Sequence, residues 1–206
     1  EGEIRILAAA LYRFGPNAYT QCLDYVRQAS PPERARLAAH LLQDLDAHDI
    51  PLRELEYSNF TFEVTIDQGA YAELKRHRMM TQTPQELTPH LGYAIPRRIT
   101  AAGIEPAYRA AMDTARQVYD RIALVLPHAA AYIVPNAYNR RILLQTNLRS
   151  AAHLVSLRSA PNAHFSIRRL ARRMAEQVSA ASPLLAAVLR LPPGETWQQI
   201  EAEHFS

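Results

Sequence analysis

Four consecutive side chains, Lys75-Arg76-His77-Arg78, are the densest run of potential positive charge in the sequence. Neighbouring cations repel one another, so a fold keeps them where an anion or solvent balances them. Either an anionic group is held here, or the run is a solvated helix end where cations complement the dipole. A second group, Arg168, Arg169, Arg172 and Arg173, lies opposite the stripe of Ile167, Leu170 and Met174 and reads as a solvated helix face. No aromatic residues interleave with either group and the net charge is only +3, so no nucleic-acid partner is expected. The eight histidines form no H-E-x-x-H or other metal spacing, His153 and His164 being eleven residues apart, so no metal site is expected. There is no G-x-S-x-G to mark a serine hydrolase. The six glycines build no phosphate loop, so any phosphate must be held by side chains or helix ends.

The elements that must position these residues follow from periodicity. Among 206 residues, 34 are alanine and 48% are apolar, which supports a helix-rich domain with a sizeable core. Cys22, the one cysteine, falls on an apolar stripe with Ala18, Tyr25 and Val26. Its solitude excludes a disulfide framework and suits a reducing, cytoplasmic setting. Ser30-Pro31-Pro32-Glu33 has the pattern of a capping box ahead of Leu37, Leu41, Leu42 and Leu45. Phe60, Phe62, Val64 and Ile66 alternate, the clearest strand, and Asp67 can cap a short helix running into Arg78. Thr81 to Pro96 reads as a long irregular loop. Gly103 to Leu126 reads as an amphipathic helix, with outward pairs Glu105–Arg109 and Arg116–Asp120. Arg141 to Leu148 fits a strand or a helix. Helices are expected over Arg149–Leu157 and from about Ala163. The pattern is α+β, an antiparallel sheet packed with long helices. One domain over 1–190 and a polar tail over 191–206 are expected. No apolar run reaches the length of a membrane span, no membrane partner is expected, and no signal peptide opens the sequence. Glu1 in place of Met suggests a processed protein or an excised domain.

In context the basic run resembles the signature of the flavin-dependent thymidylate synthases. Leu55-Glu56-Tyr57-Ser58-Asn59-Phe60-Thr61-Phe62 resembles that family's L-E-H-x-x-F-T-F strand, and Arg76-His77-Arg78 opens its R-H-R-x-x-S-x-N-x-x-S-x-R-Y motif. Tyr93-Ala94-Ile95-Pro96, Asn147-Leu148-Arg149-Ser150 with Leu157-Arg158, and Ala163 to Met174 are similar to three further stretches, in the same order. The resemblance runs from about Ile6 to Leu189. It implies a homotetramer with FAD between subunits. The implied reaction is reductive methylation of dUMP to dTMP with NADPH and methylenetetrahydrofolate. Arg76, His77 and Arg78 then match flavin contacts able to pair with pyrophosphate and to stabilise reduced flavin. Arg158 matches an arginine shared by flavin and nucleotide, and Leu157 its apolar neighbour. His153 and Asn162 fall at flavin-side positions where the family carries asparagine and histidine.

The departures concentrate on the substrate side. Thr81 keeps the hydroxyl of the first signature serine, and Thr83 replaces the asparagine. Glu86 stands where the second serine is expected and Thr88 where the nucleotide-binding arginine is expected. A carboxylate beside a phosphate repels it, and loss of a charge-assisted contact costs roughly 1.5–3 kcal/mol. Tyr57 replaces the strand histidine, and Ala131 or Tyr132 stands in place of a further arginine. No residue is assigned as catalytic. Three functions follow: an active synthase with diverged substrate contacts; a degenerate copy kept as a structural or pairing domain, one half of a tandem protein; and a flavoprotein acting on another substrate.

Overall fold

The alternating segment Asn59–Asp67 is strand β1 of the computed structural model, which describes every residue of 1–206 except Ala47. Val64 and Ile66 are buried on the expected side, with Phe60 and Phe62 half-buried. Strand β2 spans Thr81–Pro84 and β3 spans Asn139–Asn147, and the sheet order is β1-β3-β2. Bonds from Gln68 N–H to the Tyr138 carbonyl and from Leu148 N–H to the Ser58 carbonyl bracket β1 and β3 as an antiparallel pair. The ambiguous Arg141–Leu148 segment is therefore strand up to Asn147. Ile142, Leu144 and Thr146 are buried and Leu143 and Gln145 exposed, an alternation hidden in the sequence because Leu143 is apolar at an outward position and Thr146 polar at an inward one.

Ten helices accompany the sheet among the described residues: α1 Gly2–Phe14, α2 Tyr19–Gln28, α3 Pro31–Leu42, α4 Gln68–Leu74, α5 Arg97–Ala101, α6 Glu105–Ala123, α7 Pro127–Ala130, α8 Leu148–Arg158, α9 Phe165–Ala181 and α10 Trp197–His204. The fold class is α+β, as expected. Local sequence signals account for several boundaries. Asp67 accepts from the Ala70 N–H at 2.8 Å and Asn147 from the Ser150 N–H at 2.8 Å, so both begin helices as side-chain N-caps. Ser30 makes no such bond, and Glu33 instead accepts from the Tyr25 hydroxyl. The capping box is thus absent, although Pro31 does open α3.

The chain forms two compact units. The first comprises Glu1–Thr61, Gln145–Ala160 and Ala171–Pro193. Its core holds Ile6, Leu7, Leu55, Leu148, Leu154, Val178 and Leu185, each almost fully buried. Cys22 and Val26 are buried on α2 as expected, whereas Tyr25 is exposed. In the second unit, Phe62–Leu144, Pro161–Leu170 and Gly194–Ser206, Met112, Tyr119, Ala130, Val134 and Tyr138 form one cluster. Tyr138 donates from its hydroxyl to the Met112 carbonyl at 2.7 Å, which satisfies the one polar atom that burial would penalise. Glu105–Arg109 forms at 2.6 Å, but Asp120 faces His90 at 3.7 Å and makes no pair with Arg116.

Two expectations fail together. Residues 191–206, read as a polar tail, carry α10, and Ile200 is fully buried. Of the four arginines read as a solvated face, Arg173 is exposed as expected, whereas Arg168, Arg169 and Arg172 are covered. In the second unit Arg168 binds the Pro161 carbonyl and Glu195, and Arg169 lies 3.9 Å from the Phe205 ring centre. In the first unit Arg172 is 5% exposed and donates to the Pro192 carbonyl at 3.1 Å. Arginine stems cover apolar surface while their heads bind carbonyls and carboxylates, so a face polar by residue type can still be an interior one.

Candidate functional site

Lys75, Arg76, His77 and Arg78 occupy the turn that leaves α4 in the second unit. The Lys75 N–H reaches the Tyr71 carbonyl at 2.9 Å, the Arg76 N–H reaches Glu73 at 3.2 Å, and the His77 N–H reaches Leu74 at 3.0 Å. The helix thus tightens into a 3-10-like turn, and Leu74 beneath it is fully buried. Lys75, Arg76 and Arg78 are exposed, and His77 is half-buried. Among the described residues, none makes an ion pair or side-chain hydrogen bond with Lys75, Arg76 or Arg78. Three cations are thus held close together on an ordered turn, and no carboxylate of the described residues pairs with them. That arrangement suits a phosphate-bearing anion.

The segment after Arg78, expected to be irregular, is mostly ordered. It runs through β2, a 3-10 turn at Pro89–Leu91 and the pairing of Tyr93 with Tyr138. Thr81 is exposed at the start of β2. Glu86 is exposed, and its charge helps to hold the Tyr119 phenol above its ordinary value, an effect led by burial. Thr88 accepts from the His90 N–H at 3.4 Å and so begins the Pro89–Leu91 turn. Gly92 ends that turn at φ 71°, a conformation glycine adopts without strain. Beside this turn lies a cavity of about 190 Å³ lined by His90, Tyr93, Asp113, Arg116 and Tyr138, among others. Sequence reading missed it because its polar groups come from the turn itself, from α6 and from the segment before β3, far apart in the chain. Burial also holds Tyr138 and Tyr108 above the ordinary phenol range. Both hydroxyls are therefore protonated, and Tyr108 donates to the Ala94 carbonyl at 2.9 Å.

The remaining matched residues divide between units. His153 and Leu157 are exposed one turn apart on α8 in the first unit, and Arg158, half-buried, ends that helix. Asn162 is exposed just before α9 in the second unit. Arg149 does structural work, donating to the Pro51 carbonyl at 2.9 Å and pairing with Glu56 at 3.0 Å. Tyr57 packs at a tilt against Tyr19, ring centres 6.3 Å apart. The structure therefore groups the triplet with Thr81, and separately groups His153, Leu157 and Arg158.

Comparison with known proteins gives this arrangement its context. A family model described as thymidylate synthase complementing protein matches residues 3–184. A UPF0159 protein of Chlamydia muridarum is 37% identical over 193 residues, covering 92% of this chain and 36% of that protein. A UPF0159 protein of Thermoplasma acidophilum is 36% identical over 141 residues, 67% of this chain and 28% of its own length. A flavin-dependent thymidylate synthase of Mycobacterium tuberculosis is 26% identical over 179 residues, with 76% and 71% covered. This chain spans about a third of the length of the UPF0159 relatives it matches. No helix among the described residues is long and apolar enough to cross a membrane. With the match running through nearly every element described above, the chain belongs to the thymidylate synthase complementing protein family.

Proposed function

We propose that this chain binds FAD through Arg76, His77 and Arg78 and takes part in the reductive methylation of dUMP to dTMP, with NADPH and methylenetetrahydrofolate as co-substrates. The observation that carries this reading is the ordered turn after α4 with three exposed cations that make no ion pair among the described residues. Such a set fits a pyrophosphate: guanidinium groups bind phosphate oxygens in pairs and stay charged at any physiological pH. When bound, the flavin supplies the hydride chemistry. The protein's own part is to bind and orient. In this reading Leu157, Arg158, His153 and Asn162 complete the flavin surface within a homotetramer or through pairing with a homologous domain, in the cytoplasm.

The test is direct. Purified protein carries a flavin absorbance spectrum, and Arg78→Ala diminishes it. Added dUMP perturbs that spectrum, and tritium leaves C5 of labelled dUMP. Protein that stays colourless and ignores added FAD sinks the reading.

A degenerate copy, kept as a structural or pairing half of a longer tandem protein, is favoured by one specific observation. Thr88 spends its hydroxyl on the His90 N–H where a nucleotide-binding arginine is expected. Under this second reading FAD binds and millimolar dUMP does not. Glu86→Ser combined with Thr88→Arg then restores nucleotide binding, at the cost of the cap on the Pro89–Leu91 turn. Unchanged affinity in that double variant removes this explanation of the defect.

A further inference from the structure

The turn that carries the cationic triplet is held from outside its own helix. The last carbonyls of a helix have no intrahelical donors and need partners from elsewhere. Many helices end instead on a left-handed glycine. Here Lys75 follows α4 in right-handed conformation, at φ −61° and ψ −11°, so no such cap is available. Besides the His77 N–H, which reaches the Leu74 carbonyl from within the turn, the donors come from Gln82 on β2. Its Nε2 donates to the Leu74 carbonyl at 3.2 Å and to the His77 carbonyl at 3.0 Å. One amide thereby spans the two peptide groups that flank Lys75 and Arg76. The opposite end of the same amide shows which contact sets its orientation. Oε1 is buried and receives no hydrogen bond from any described residue, so the side chain satisfies its donors and leaves its acceptor short.

We infer that Gln82 is a positioning residue for the flavin site. It locks residues 74–77 so that Lys75, Arg76 and Arg78 are already ordered when the anion arrives. Ordering a segment before binding removes an entropy cost that would otherwise be charged against affinity. Gln82 touches no ligand in this role; it acts through the backbone of the triplet. The inference rests on the flavin reading above, and it concerns a residue outside the matched signature positions.

The experiment uses the full chain and two variants, Gln82→Met, of similar length without donors, and Gln82→Glu, of similar shape with acceptors only. Hydrogen exchange at the amides of 75–80 accelerates about tenfold in both, while exchange in β3 is unchanged. The FAD dissociation constant rises about tenfold, equivalent to about 1.4 kcal/mol. Reduced flavin carries more negative charge and loses about tenfold more than oxidised flavin, which lowers the two-electron potential by about 30 mV. A merely structural cap lowers the melting temperature and leaves that potential where it was. Wild-type affinity and potential in both variants, in protein that binds FAD, overturn the positioning role alone. Wild-type protein that binds no FAD overturns the flavin reading and the positioning role with it.

Discussion

The two arginine-rich regions look alike in sequence and have opposite fates in the fold. The run at 75–78 keeps Lys75, Arg76 and Arg78 exposed and unpaired among the described residues. On α9, the Arg168 and Arg169 side chains retain only 12% and 19% of their exposure and reach Glu195 and Glu201 at 3.1 and 3.7 Å. Both regions are helical or at a helix end, and both are dense in guanidinium. The difference lies in what covers them. One is a reserve of positive charge available to a ligand. The other is spent on the chain's own C-terminal segment. Charge density by itself marks neither role.

That contrast can be broken experimentally, and the largest effect is expected on α9. Arg168→Ala removes its ion pair with Glu195, which has limited solvent access, and its bond to the Pro161 carbonyl, costing about 2–3 kcal/mol. Arg76→Ala and Arg78→Ala leave stability within about 0.5 kcal/mol. Denaturant midpoints measure both, and equal losses would erase the distinction. The order reverses for ligand binding. Arg78→Ala weakens FAD binding by about 1.5–3 kcal/mol, read from titration of flavin fluorescence. Arg168→Ala leaves it unchanged in protein that remains folded. Arg172→Met keeps most of the buried volume and loses the bond to the Pro192 carbonyl, costing about 1 kcal/mol. A larger cost would mean that its charge and its other polar contacts contribute beyond this one bond.

The smallest effect is a pH dependence in the first unit. The Glu56 carboxyl lies below its ordinary value, first because Arg53 hydrogen-bonds it and then through the charges of Arg53 and Arg149, against an opposing desolvation effect. Because the folded state binds the proton less tightly, this stabilisation is complete above the unfolded value of about 4.3 and is lost as pH falls through the folded value. Partial exposure limits it to about 0.5 kcal/mol. Carboxyl titration followed by NMR should show a larger upward return in Arg53→Gln than in Arg149→Gln.

Sequence revealed the parts of the molecule whose partners are near in the chain. The β1 alternation, the Asp67 cap and the Glu105–Arg109 pair are all local and were legible. The place of Arg76-His77-Arg78 between strand and loop was also legible, because the motif is contiguous. What stayed hidden depends on distant residues. The α9 arginines face outward by periodicity, yet Glu195, Glu201 and Phe205, some thirty residues later, lie against Arg168 and Arg169. Gln82 has no sequence signature as a clamp, since a glutamine on any strand looks the same. The failed Ser30 cap shows the converse: the pattern was present, but Glu33 took Tyr25 as its partner.

The discontinuous units described above have a consequence for synthesis. Glu3, near the start, accepts a hydrogen bond from the Leu184 N–H at 2.7 Å, across a separation of 181 residues. Each unit is assembled from three separated stretches, and each includes residues beyond position 190. Neither unit can therefore be completed in a nascent chain until residues beyond position 190 have left the ribosome. The first helices wait, amphipathic and incompletely covered, for partners translated well over a hundred residues later. At about 5–20 residues per second that wait is roughly ten seconds or more. A stop codon or cleavage late in this region would then leave two incomplete cores, not one intact unit and one lost.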